Sequence, residues 1–222
     1  MKVVLPGINR CFECCEDKVQ SLIIENPKLF CKIISDIEWQ LEGNQGNCVV
    51  SKDDKVLETG KALELIAQFI PFDINRKTLI NKAIAEMSKI AVNDYNYVKT
   101  MELMGGIEQY CNALAFEMPG NIEIAQINVD ALLKAAGVKF SDDYERLSEK
   151  LLDYFELVKR YETDKVFVLL NIHSYMDSGE IEEFLKEVVA HRYNVLLIDG
   201  KEYELSEMEE RYIVDSDLCE IS

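Results

Sequence analysis

The groups in this 222-residue chain that could do chemistry are few. A phosphate-binding loop needs Gly-x-x-x-x-Gly-Lys-Ser/Thr, because backbone amides and the lysine must surround the phosphates while the hydroxyl holds magnesium. Glu58-Thr59-Gly60-Lys61-Ala62 keeps only the Gly-Lys pair, which argues against nucleotide hydrolysis. Val195–Asp199 ends an apolar run on a carboxylate, as the magnesium-holding strand of an NTPase does, but without the loop it carries no weight. Cys11-Phe12-Glu13-Cys14-Cys15 offers thiolates at metal-like spacing, yet zinc wants four ligands and no second Cys or His pair follows at such spacing. His173 and His191 are the only histidines, and neither has a Ser or Cys nucleophile motif beside it. Both read as surface or cap histidines, and nothing here marks an enzyme.

Two further groups point to binding. Glu117-Met118-Pro119-Gly120-Asn121-Ile122-Glu123, with Asp130 two turns into the next expected helix, places several oxygens at a helix joint. Calcium takes six to eight oxygen ligands in irregular geometry, so such a joint could bind it; a solvated turn reads equally well. The lysines form the other group. The chain carries 41 acids and 24 bases, a net charge of −17, which repels nucleic acid and anionic membrane unless positive charge is gathered in one place. Residues 1–50, 51–139 and 140–222 sum to −2, −2 and −13, so the acid is concentrated at the C-terminal end. Between residues 76 and 99 the balance reverses, with Arg76, Lys77, Lys82, Lys89 and Lys99 against Glu86 and Asp94. Lys52, Lys55 and Lys61 form a second small group. A solvated helix face explains such lysines by itself; a binding role requires several chains to pool them.

The elements that must position these residues follow from periodicity. Lys18–Glu25 reads as a strand, and Asn26-Pro27 caps and opens a helix to about Leu41. Glu42–Asn47 is loop chemistry, and the apolar pieces around Ser51–Lys55 predict a hairpin or edge strand. Behind an Asn75 cap, Leu79, Ile80, Ala83, Ile84, Met87, Ile90 and Ala91 recur at helical spacing. Helices are expected over 76–92, 95–116, 123–136 and 142–161, then a strand at Lys165–Asn171, a helix at Ser178–Ala190 and a strand at Asn194–Ile198. This unit implies parallel strands buried on both faces. The expected architecture is an α/β head, residues 1–72 and 162–222, interrupted by an all-helical leg, residues 73–161. A 48% hydrophobic content excludes disorder. The N-terminus is too short in apolar residues for a signal peptide, and Val166–Leu170 cannot cross a bilayer needing roughly 20 residues, so a soluble, cytoplasmic protein is expected. Seven cysteines without secretory context predict reduced thiols.

The whole-chain pattern resembles a known family, the small CRISPR-associated spacer-acquisition proteins of type II-A systems. The stretch that carries it runs from about Ile122 to Val214 and includes Leu132–Lys139 (LLKAAGVK), Lys165–Asn171 (KVFVLLN), Asn194–Ile198 (NVLLI) and Arg211–Asp215 (RYIVD). Pro71–Asn75 (PFDIN), before the long helix, also looks like a family signature. The resemblance implies an antiviral adaptive-immunity role and a head with phosphate-loop-NTPase-like topology but no nucleotide chemistry. It further implies a homotetrameric ring with a lysine-lined hole on double-stranded DNA ends, supported by calcium in acidic clusters. Lys52, Lys55 and Lys61 fall where relatives have a lysine-rich stretch near the hole, with Lys82 and Lys89 the competing site. Glu117, Glu123 and Asp130 fall nearest the acidic joint. The expected role is sequence-independent binding of DNA ends, without catalysis, beside the integrase and RNA-guided nuclease of the same locus. Two other readings compete: a degenerate phosphate-loop NTPase or nuclease, and an acidic protein-binding adaptor.

Overall fold

The computed structural model describes residues 1–14 and 17–221. The chain divides into two compact units, Met1–Phe72 with Asp143–Ser222, and Asp73–Asp142. The first contains two sheets. Strands β1 (Lys2–Val4), β2 (Cys11–Glu13), β4 (Val49–Lys52) and β5 (Lys55–Leu57) form a small antiparallel sheet in the order β2-β1-β4-β5. The larger sheet has the order β10-β9-β3-β8-β7-β6, with β3 (Val19–Ile24), β6 (Leu63–Ile66), β7 (Val166–Leu170), β8 (Asn194–Asp199) and β9 (Glu209–Val214) parallel. Only β10 (Glu220–Ile221) runs antiparallel, on β9. Every residue of β3 and β7 is buried, as a parallel strand covered on both faces requires.

Helices cover the two faces. Helix α1 (Pro27–Leu41) follows β3 after two connecting residues, of which Asn26 accepts hydrogen bonds on its side chain from the amides of Lys28 and Leu29 at 3.1 Å each. Its Ile33 and Ile37 pack with Leu22, Ile24, Val168 and Ile198. Alternation sends Phe167 to the opposite face, and there it stacks on Phe155 of α6 (Leu147–Tyr161) with ring centroids 4.1 Å apart. Helix α7 (Ser178–Ala190) packs beside α6 through Phe184. The short helix α2 (Thr59–Ala62) leads into β6.

The mixed α/β character expected from sequence is present, with differences in detail. Helix α6 belongs to the sheet-bearing unit, so the helical segment ends at residue 142 and not at 161. The cause is its apolar face: Leu151, Tyr154, Phe155 and Val158 are all buried, and Tyr154 donates to buried Glu64 of β6. The second unit holds α3 (Lys77–Ala91), α4 (Tyr97–Phe116) and α5 (Val129–Ala135), with Ile74, Leu79, Ala83, Ile84 and Met104 buried. Helix α5 starts at Val129 and not at 123, because Asn128 caps it by accepting from the Ala131 amide at 2.8 Å. Asn75 does not cap α3; its side chain bridges to the backbone of Phe140 in both directions, at 2.8 and 3.2 Å.

Candidate nucleic-acid interface and buried polar cluster

Lys52, Lys55 and Lys61 all lie in the first unit and are exposed. The hairpin of β4 and β5 brings Lys52 directly opposite Lys55. Asp53 and Asp54 form its turn with φ of 50° and 60°, the doubly left-handed geometry that a two-residue hairpin demands. Lys52 is ion-paired to Asp164 and Lys61 to Glu58. Such exposed pairs are worth at most about 1 kcal/mol and yield to a competing phosphate. Among the described residues Lys55 makes no ion pair, so its charge is the more available of the hairpin two. Lys82 and Lys89 lie on α3 of the second unit, both exposed.

The acidic joint of the second unit is less gathered than its sequence spacing suggests. Glu117 ends α4 and is exposed, Glu123 lies exposed in the segment between α4 and α5, and half-buried Asp130 accepts from the Ser88 hydroxyl. Among the described residues, no three of His, Cys, Asp and Glu converge into a group able to hold a metal. Within one chain these carboxylates therefore do not fit calcium's demand for six to eight oxygens. Asp130 and Ser88 instead line a 730 Å³ cavity with Lys89, Met101, Met104 and Glu108. Cys11 is exposed and Cys14 buried, and both are free thiols; Cys15 lies outside the described residues.

Sequence reading missed a group of polar side chains buried together in the first unit. His173, expected at the surface, is only 9% exposed, in the turn after β7. Its Nδ1 lies 2.9 Å from Asp199 at the end of β8, and its Nε2 lies 3.1 Å from Glu209 at the start of β9. The second contact is an ion pair out of line for a hydrogen bond. Asp199 and Glu209 are 0% and 2% exposed. Burial pushes the His173 pKa down, but the Asp199 hydrogen bond and the two negative charges outweigh it and hold the imidazole protonated, at about 9. Burial opposes the charge of Glu209 as well; the imidazolium overcomes it and lowers that carboxyl's pKa. Arg211, in register with Ser21 on the neighbouring strand, adds a second cation and donates to the Tyr203 carbonyl at 2.7 Å. Tyr203 stacks on the His173 ring, 4.9 Å between centroids. Two cations thus balance two carboxylates in the interior, and the Ser174 hydroxyl is bonded to that of Tyr203. The one sequence signal for this cluster was Asp199, a carboxylate closing an otherwise apolar strand.

Taken together, the first unit is a parallel α/β sheet with helices on both faces whose strand-to-helix turn after β3 is closed by its own Asn26 side chain. The amides that a phosphate loop would offer are engaged there. Residues 40–218 match the family described as CRISPR-associated protein (Cas_Csn2), and the chain belongs to that family. It is 21% identical over 187 residues to the CRISPR-associated protein Csn2 of Enterococcus faecalis, covering 83% of this chain and 84% of that relative. The family match begins near the end of α1, so the central strand β3 lies outside it. Among the described residues, no helix is long and apolar enough to cross a membrane.

Proposed function

We propose that this protein is a non-catalytic, sequence-independent binder of double-stranded DNA ends in CRISPR spacer acquisition, acting in the cytoplasm as a homotetrameric ring beside the integrase and RNA-guided nuclease of its locus. The observation that carries the reading is family membership over residues 40–218, which puts the chain in a CRISPR system. Physical support comes from charge. A chain of net charge −17 attracts a duplex only if copies turn their exposed lysines toward one shared surface and their acids outward. Lys52, Lys55 and Lys61 are the residues assigned to that surface, with Lys82 and Lys89 as the alternative. Binding without sequence preference rests on phosphate contacts, which position a duplex but carry no sequence information. The capped turn after β3 and the missing first glycine before Gly60-Lys61 support a phosphate-loop-like head without nucleotide chemistry.

For calcium, the described residues of a single chain bring no three candidate ligands together. Ring support by calcium requires copies to pool Glu117, Glu123 and Asp130 with further oxygens, and no step here depends on it. The reading is tested by mobility shift on linear duplexes of unrelated sequence and on the same DNA closed into circles. Comparable binding to every linear duplex, with loss on closed circles, is the expected result. Equal binding to both forms, or binding to one sequence only, overturns it.

A further inference from the structure

The first unit carries a preformed groove beside the start of α7. Between β8 and β9, residues 200–208 form neither helix nor strand and lie as a strap against that helix. Strap and helix together line a cavity of about 490 Å³, inside the range of roughly 300–1,000 Å³ usual for ligand sites. The strap is pinned at two points: the Tyr203 carbonyl accepts from Arg211 at 2.7 Å, and the Ser206 hydroxyl donates to Glu182 of α7. Binding there is spared the cost of ordering the site. Leu205, between those points in the strap, is nevertheless 56% exposed, while buried Met176 and Ile181 give the groove an apolar lining.

Charge specifies the occupant. Glu204 and Glu207 line the groove, are exposed, and among the described residues make no ion pair. Glu182 is already engaged by Ser206 and by Lys186 at 3.2 Å, and buried Asp199 and Glu209 are balanced by His173 and Arg211. The charge left over is that of the two exposed glutamates, which call for cations and repel phosphate. The strap shows such a contact within itself, since Lys201 holds its Nζ 4.9 Å from the centroid of the Tyr203 ring on the groove wall. Leu205 stands between Glu204 and Glu207, so the complementary ligand has cations on either side of an apolar group. A free polyamine would satisfy the carboxylates and leave the apolar lining in water; an extended protein segment satisfies both.

We propose that this groove docks a partner protein through an extended segment in which Lys or Arg residues flank an apolar side chain. Glu204 and Glu207 pair with the cations, and Met176, Ile181 and Leu205 receive the apolar group. None of the lysines assigned to DNA lines the groove, so its test is independent of DNA binding. That test is selection of displayed short random peptides on the full chain, followed by fluorescence anisotropy of the best peptide. Selected peptides are expected to carry Lys or Arg on both sides of an apolar residue. Glu204→Lys combined with Glu207→Lys, and separately Leu205→Ser, should each weaken that peptide about tenfold or more. All three positions are exposed, so circular dichroism and thermal melting should match wild type. Glu38→Lys combined with Glu42→Lys, exposed at the end of α1 on the other side of the sheet, changes net charge equally. At physiological salt this control pair should leave affinity nearly unchanged, because distant charges are screened. Equal weakening by the control pair would mean attraction to net charge alone and overturns the proposal. Wild-type affinity in either groove variant, or selection of peptides without the basic and apolar pattern, overturns it as well.

Discussion

Replacing His173 with glutamine keeps a polar side chain of similar size but removes the cation that faces Asp199 at 2.9 Å and Glu209 at 3.1 Å. The folded state raises the imidazole pKa from 6.5 to about 9, against the push of burial, so the protonated ring stabilises the fold by about 3 kcal/mol. Because the folded value is raised, that contribution is fully present below pH 6.5 and is lost as pH rises through about 9. Urea unfolding followed by circular dichroism, on wild type and His173→Gln at pH 6 and again at pH 10, reads the difference directly. At pH 6 the variant should be less stable by about 3 kcal/mol, a drop in melting temperature of roughly 6–12 °C for a protein of this size. At pH 10 the gap should nearly close, since wild type has then lost its proton too. Groups remote from the cluster titrate alike in both proteins and cancel, and Glu209, which loses its cation in the variant, is ionised in both at pH 10. An equal gap at both pH values would refute the argument, because the loss would then come from packing and not from charge.

Lys55→Glu should separate stability from binding: the new carboxylate faces Lys52 across the hairpin, which adds roughly 0.2–1 kcal/mol, while linear-DNA affinity falls. Charge reversal at Lys52, Lys55 and Lys61 should lower the salt slope of log affinity by roughly 0.9 for each phosphate left unneutralised, read by titration at several salt concentrations. Should reversal at Lys82 and Lys89 abolish binding while these three leave it untouched, the DNA surface lies on α3. Burial pushes the Cys48 thiol up to about 11, so alkylation of the native protein at pH 8 should label exposed Cys11, Cys31 and Cys219 and spare Cys48, as peptide mass spectrometry would show. Chelation should lower the melting temperature if calcium joins the assembly, and Glu123→Ala and Asp130→Ala should then abolish the shift.

Much of the first unit was legible because its signals are local. Continuous apolar runs at Lys165–Asn171 and Asn194–Ile198, joined by a helix-length segment, dictate a parallel pair, and Asn26-Pro27 fixes the start of α1. Leu63–Ile66 does not read as a strand, since four residues interrupted by Glu64 carry no periodicity; Tyr154, ninety positions away, and Lys165, whose Nζ lies 3.3 Å from it, make that carboxylate tolerable in the interior. Helix α6 falls with the helical segment in sequence for a related reason: its amphipathic pattern shows that it must pack, and only the tertiary structure shows that Phe167 is what it packs on. The polar cluster stayed hidden because His173, Asp199 and Glu209 meet only when the ends of three strands are brought together.

Native mass spectrometry of the protein mixed with a short blunt-ended duplex tests the central claim most directly. The account predicts a single dominant complex of four chains on one duplex, formed equally with any sequence, whereas one chain per duplex, or no complex with DNA at all, would contradict it.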